Sequence, residues 1–243
     1  MSHPLVLDLP EKSSAHWGKL YGCANALAIA EQVQSTNQLT LVVTPTSAEA
    51  FNLEDALRFF ASELTVLSFP DWETLPYDLF SPHQDIVSRR LKTLYQLPGI
   101  DKGVLVLPVS TLMQRLCPAT YIDQQALIIN SGDEMPMDDF RLKLVNAGYR
   151  NVSEVTEHGE FAVRGSLFDL FPMASDKPFR IDYIDDDIES IYQFDPNDQI
   201  ADTKKPIDRV ELLPAREFPM NEADITRFRH CLLYTSPSPR DRG

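Results

Sequence analysis

The chain reads as an α/β protein, a parallel-sheet domain joined to a smaller α+β domain. Two patterns predict this. Through the first 120 residues, short β-branched runs alternate with amphipathic helical segments, as in parallel strands joined by right-handed crossovers. After Pro118 the pattern changes to short strands with alternating faces. A length of 243 residues, with 43% apolar and 24% charged, gives enough material for one large or two modest globular domains.

The elements follow in order. Leu20, Cys23, Ala24, Leu27 and Ala30 recur at helical spacing between residues 15 and 34. Residues 39–44 are an apolar, β-branched run that suits a buried strand. Thr46-Ser-Ala-Glu49 matches a capping box and opens a helix with Ala50, Leu53, Leu57, Phe60, Ala61 and Leu64 on one face. Residues 65–69 form the next strand, followed by a Pro/Asp-rich loop. A helix over about 84–97 turns Val87, Leu91, Leu94 and Tyr95 inward, and residues 104–107 make a third strand. A helix over 137–147 stops at Gly148. The strands of 158–195 follow, with Phe161, Val163, Leu167, Ile181, Tyr183, Ile188 and Ile191 suiting a half-buried sheet. They are joined at Arg164-Gly165 and at Asp185-Asp186-Asp187. Residues 210–213 read as another strand and 221–230 as the start of a helix.

Composition excludes several function classes. No run of about 18 apolar residues offers a membrane span. Met-Ser-His-Pro lacks the basic and apolar regions of a secretory signal. Cysteines 23, 117 and 231 are too few and too scattered for a disulfide framework or a zinc site, which fits a reducing cytoplasm. A net charge of −14 argues against a free-standing nucleic-acid binder, which needs a basic patch to displace counterions. The terminal stretch Cys-Leu-Leu-Tyr-Thr-Ser-Pro-Ser-Pro-Arg-Asp resembles a reading frame of a transposase sequencing adapter. Residues 231–243 are accordingly read as an artefact or a disordered Ser/Pro-rich tail.

Isolated polar groups carry weak chemistry. His83 with Asp85, and His158 with Glu160, lack a third partner at useful spacing and read as turn or surface residues. The aspartates 185–187 lack the spaced ligands of a calcium loop and read as a hairpin turn. Trp72, Tyr77 and Phe80 offer stacking faces but fit core packing better. No catalytic and no metal-binding residue is expected. Arg164 and Arg180 stand out within an acidic segment. As surface ion pairs they contribute only about 0–1 kcal/mol each, whereas exposed arginines are favoured at interfaces for their planar, bidentate donors.

Two long stretches carry a family resemblance. One is His-Gly-Glu-Phe-Ala-Val-Arg-Gly-Ser-Leu-Phe-Asp-Leu-Phe-Pro from His158, continued by Pro-Phe-Arg-Ile-Asp-Tyr-Ile-Asp-Asp-Asp from Pro178. The other is Asp71-Trp-Glu-Thr-Leu-Pro-Tyr-Asp-Leu-Phe-Ser-Pro-His-Gln-Asp, followed by Gly103-Val-Leu-Val-Leu-Pro-Val-Ser-Thr-Leu-Met-Gln-Arg. Together they resemble the bacterial transcription-repair coupling factors over nearly all of residues 5–229, and more distantly the excision-repair protein UvrB.

The resemblance implies a helicase-like parallel-sheet domain over 1–120 with a degenerate P-loop and an inserted UvrA-docking α+β domain over 121–206. A truncated return segment would cover 207–230. Where a working loop needs Gly-x4-Gly-Lys-Ser/Thr, this chain has Lys19, Gly22, Ala24, Asn25 and Ala26. Phosphate charge and the magnesium ligand are lost, so no cofactor is expected in this segment. The resemblance further implies docking on UvrA through Arg164 and Arg180, both exposed near Asp182 and the aspartate cluster, with Tyr183 or Ile184 as the apolar neighbour. It also implies restraint of a DNA translocase motor. That motor, with ATP and magnesium and with contacts to RNA polymerase and double-stranded DNA, would lie beyond residue 243. A UvrB-type damage-verifying helicase subunit is the alternative, opposed by Asn25 and Ala26.

Overall fold

Helix α1 spans Ala24–Thr36 in the computed structural model, which describes residues 16–74, 79–220 and 222–235. It begins later than apolar spacing predicts. Lys19 and Gly22 take φ of 62° and 59°, which breaks the helical path and leaves Leu20 in an irregular loop. The helix ends where Asn37 turns left-handed and its N–H reaches Val33 O.

Strand β1 (Leu39–Thr44), helix α2 (Ser47–Phe60), strand β2 (Val66–Ser68), helix α3 (Gln84–Gln96) and strand β3 (Gly103–Pro108) follow. The strands form the expected parallel sheet, ordered β1-β3-β2. Because β3 lies between the first two, right-handed crossovers put α2 and α3 on opposite faces. On one face Leu53 and Leu57 pack with Ala26, Ala30 and Val33. Thr46 caps α2 by accepting from Glu49 N at 3.2 Å. The helix stops earlier than expected: Ala61 leaves the helical conformation, Phe60 stays 43% exposed, and Ala61 and Leu64 are buried beyond the end.

Two short helices, α4 (Val109–Leu112) and α5 (Ala119–Gln125), lead to strand β4 (Leu127–Asn130) and helix α6 (Met137–Asn146). Gly148, at φ 95°, ends α6 in a Schellman motif: its N–H bonds Val145 O and the Tyr149 N–H bonds Leu144 O. Strands β5 (Arg150–Asn151), β6 (Glu160–Arg164), β7 (Leu167–Phe171), β8 (Phe179–Ile184), β9 (Asp187–Phe194) and β10 (Ala201–Pro206) form one sheet in chain order. Every pairing in it is antiparallel except β5 with β6. Strand β11 (Arg209–Leu212) then pairs antiparallel with β4.

Helix α7 (Glu222–Thr235) extends into the stretch read from sequence as a tail, so Cys231–Thr235 are helical rather than disordered. Residues 236–243 lie outside the described part. Among the described residues no helix is long and apolar enough to cross a membrane.

The inner face of the antiparallel sheet presents Phe161, Phe168, Leu170, Ile181, Tyr183 and Ile191 to Phe140 and Leu144 of α6 and to Val87 and Leu91 of α3. One core thus joins residues from both halves of the chain. Val163 is 37% exposed, and Leu167 pairs with Asp182 on the opposite face, so these two depart from the expected buried set.

Candidate functional site

The outer face of the antiparallel sheet follows from its register. Residues directly opposite on neighbouring antiparallel strands share a face. Arg164 pairs with Leu167, Leu167 with Asp182, Ala162 with Asp169, Asp169 with Arg180, and Ile184 with Asp187. Arg164, Asp169, Arg180, Asp182 and Ile184 are therefore gathered on one face. The sequence-predicted arginines do come together.

Their surroundings differ from the expectation. The carboxylate between them belongs to Asp169, which is 1% exposed, and not to Asp182 or the aspartate turn. Arg180 donates from Nε to Asp169 Oδ1 at 2.7 Å and from Nη2 to Oδ2 at 3.0 Å, and its Nη1 reaches Gln199 O at 3.2 Å. Its guanidinium also lies over the Phe194 ring at 5.1 Å. Only 17% of the Arg180 side chain is exposed, because a buried aspartate draws it inward. The hydrogen bonds it donates to Asp169 hold this guanidinium above its ordinary pKa, against the opposing effect of burial. Arg164 also bonds Asp169 through Nη2, but 45% of its side chain remains exposed.

The two apolar candidates separate cleanly. Tyr183 is 4% exposed, packed near Phe168 on the inner face, and is no surface neighbour of the arginines. The alternation of β8 places Ile184 on the outer face, 55% exposed, just before the turn in which Asp185 has φ 54°.

Sequence reasoning missed Asp169 and Gln199. The first had a readable signal, a lone charge inside the apolar run Leu167-Phe-Asp-Leu-Phe171, which requires a buried partner. The second had none, because Gln199 arrives from a loop. It takes φ 60°, and its Nε2 donates to Val155 O at 3.0 Å and Pro196 O at 2.9 Å.

The remaining candidates resolve into structural roles. His83 caps α3 by accepting from Asp85 N at 3.3 Å. The Asp85 carboxylate also lies near that ring, Oδ2 to His83 Nδ1 at 3.5 Å, and its Oδ1 meets His158 Nδ1 at 2.8 Å, while the other His158 ring nitrogen faces Ser175 O at 2.8 Å. Glu160 accepts from the N–H groups of Thr156 and Glu157 and from Arg150. Trp72 packs at the core edge, whereas Phe80 is 83% exposed and so is not the core residue expected. Tyr77 lies outside the described residues. Among the described residues no group of three His, Cys, Asp or Glu side chains assembles.

Lys19 and Gly22 form the loop ahead of α1, Ala24 begins the helix, and the Asn25 side chain accepts from Ala26 N at 2.8 Å. The adjoining hollow, about 220 Å³, is lined by Gly22, Cys23, Asn25, Thr44, Glu49 and Asn52, so its charged group is an anion.

Residues 127–218 match the family described as UvrB interaction domain. The chain is 49% identical over 227 residues to a transcription-repair-coupling factor of Haemophilus influenzae, covering 91% of this chain and 19% of that protein. It is 46% identical over 212 residues to the Escherichia coli protein of the same description, 87% of this chain and 18% of the relative. A Staphylococcus aureus relative, also so described, is 29% identical over 219 residues. The chain spans about a fifth of the length of these relatives.

Proposed function

We propose, from the premise that this chain is a homologue of the transcription-repair-coupling factors, that the outer face of its antiparallel sheet docks UvrA, the damage-recognition ATPase. The half-exposed Arg164 guanidinium carries this reading. It shares with exposed Ile184 a face whose other arginine is bonded inward. A guanidinium with free donors on the same face as an exposed apolar side chain has the make-up of an interface hot spot.

In this reading the segment is a recruitment module that brings excision repair to a stalled RNA polymerase and restrains the motor of the whole protein. Engagement of RNA polymerase and double-stranded DNA, and ATP hydrolysis with magnesium, belong to parts of the relatives outside the matched fifth. The segment itself does not hydrolyse ATP. At the start of α1, Asn25 and Ala26 replace the lysine and hydroxyl that a nucleotide needs, and Glu49 would repel its phosphates.

Titration calorimetry with purified UvrA tests the docking. The wild-type chain binds, and Arg164→Ala and Ile184→Asp each weaken binding by about 30-fold, the roughly 2 kcal/mol of a hot spot. Ile184→Asp leaves the thermal midpoint in place, whereas Arg164→Ala, which removes one of the two partners of buried Asp169, lowers it, so binding is compared at a temperature where circular dichroism shows both variants folded. Absence of binding by the folded wild-type chain overturns the proposal. Arg180→Glu is a poor probe, because it sets a second carboxylate against buried Asp169 and unfolds the face it is meant to test.

A further inference from the structure

The two arginines of the outer face are not equivalent. We infer that Arg164 alone presents donors to the partner, while Asp169, Arg180 and Gln199 are positioning residues that hold it in place. This assignment rests on the docking reading above and divides the labour within it.

The donor inventory separates the pair. A guanidinium has five N–H groups. Arg180 spends all three of its nitrogens inside the protein: Nε and Nη2 on the two oxygens of Asp169, and Nη1 on the carbonyl of Gln199. With 17% of its side chain exposed and the Phe194 ring beneath, it has little left to offer. Arg164 uses only Nη2, which donates to Asp169 Oδ2 and, at 3.4 Å, to Gln199 Oε1. Its Nε–H and both Nη1–H groups have no partner among the described residues, and the side chain is 45% exposed.

The electrostatics point the same way. The Asp169 carboxylate is 1% exposed and shared by two cations, and Asp182 lies on the same face beside the inward-bonded Arg180. The half-exposed Arg164 keeps its remaining donors on the solvent side. Such a group fits a carboxylate of the partner, bound through charge-assisted hydrogen bonds, with an apolar neighbour to cover Ile184. The partner surface is therefore acidic and apolar together.

Gln199 fixes the geometry from the other side. Two carbonyls, Val155 O and Pro196 O, hold its amide nitrogen, which orients Oε1 toward Arg164, while its own carbonyl receives Arg180. One residue on the 195–200 loop thus touches both guanidiniums. A long side chain restrained in this way loses less rotamer freedom when it binds.

A double-mutant cycle on the full chain tests the assignment, with purified UvrA as the ligand. Gln199→Ala and Asp169→Asn are each made in the wild-type and in the Arg164→Ala background, with circular dichroism confirming the fold. Each is expected to weaken docking about fivefold or more beside Arg164, and to have no further effect once Arg164 is gone. A merely structural role would give the same loss in both backgrounds and would overturn the inference. Gln199→Ala, made on an exposed loop, keeps the test decisive if Asp169→Asn fails to fold. Arg180→Gln, folded, is expected to show the same dependence on Arg164, and an independent, additive loss would make Arg180 a contact and overturn the division of roles. A wild-type chain that does not bind overturns the docking reading and this assignment with it. A wild type that binds while the cycle shows no coupling overturns the assignment alone.

Discussion

Tyr183 shows how far one residue's neighbours decide its role. By composition it suits an interface, an aromatic ring with a hydroxyl next to a basic strand. In the structure the ring is core and its hydroxyl is buried without a hydrogen-bond partner among the described residues. Burial pushes its pKa up to about 12, and burial likewise pushes the Cys117 thiol up to about 11. Both groups fold in their protonated forms, with folded values above the unfolded ones. Their contribution is therefore fully present below the unfolded values, near 9.0 for the thiol and 10.0 for the phenol, and is lost as pH rises through the folded ones. Denaturant unfolding is expected to give a flat stability from neutral pH to about 9 and a decline from there to about 12. Tyr183→Phe should flatten the upper part of that decline, stabilise the fold at neutral pH by up to about 1 kcal/mol, and leave docking unchanged. A loss of UvrA binding in this variant would return Tyr183 to the docking surface.

At the scale of elements, local signals in the sequence were strongest at helix ends. Thr46 and Gly148 mark a start and a stop because caps act through near neighbours in the chain. The start of α1 was harder to read: Leu20 continues the apolar period, yet the backbone turns left-handed at Lys19 and Gly22. Gly148 also does something the sequence could not show. An added Cβ would lie 2.9 Å from the Arg216 side chain, whose stem crosses the helix end. Gly148→Ala should cost about 1–2 kcal/mol from the left-handed backbone alone, with more if Arg216 cannot move. Urea titration checks this, and a change under about 0.5 kcal/mol would mean that the cap relaxes freely.

At the scale of the whole molecule, Arg90 ties three distant segments together. Fully buried, it donates to both oxygens of Glu217 at 2.9 and 3.0 Å and to Pro70 O at 2.7 Å. Its guanidinium lies 4.2 Å from the ring centroids of both Phe69 and Trp72. Helix α3, the loop after β2 and the segment after β11 therefore meet at one ion pair. Removing either partner leaves a buried charge alone, at a cost of about 3–5 kcal/mol. Arg90→Met and Glu217→Leu should each lower the unfolding midpoint strongly, while the double variant recovers much of the loss. Additive losses would show that the pair is not coupled.

What the sequence determined by itself was the order of the main helices and strands, though not the short elements α4, α5, β4, β5 and β10. Alternation over 158–195 showed short two-faced strands but left Tyr183 and Ile184 as alternatives; the pairing of the strands put Arg164, Arg180 and Ile184 on one face and Tyr183 on the other. What only the tertiary structure decided was how those side chains divide their bonds. Asp169 sits between the arginines, Gln199 reaches them from a loop 35 residues past Arg164, and Asp85 finds His158 as well as His83. Such pairings depend on where the chain returns in space, and no local period encodes that. Burial then fixes them, since a carboxylate out of water must keep its partners.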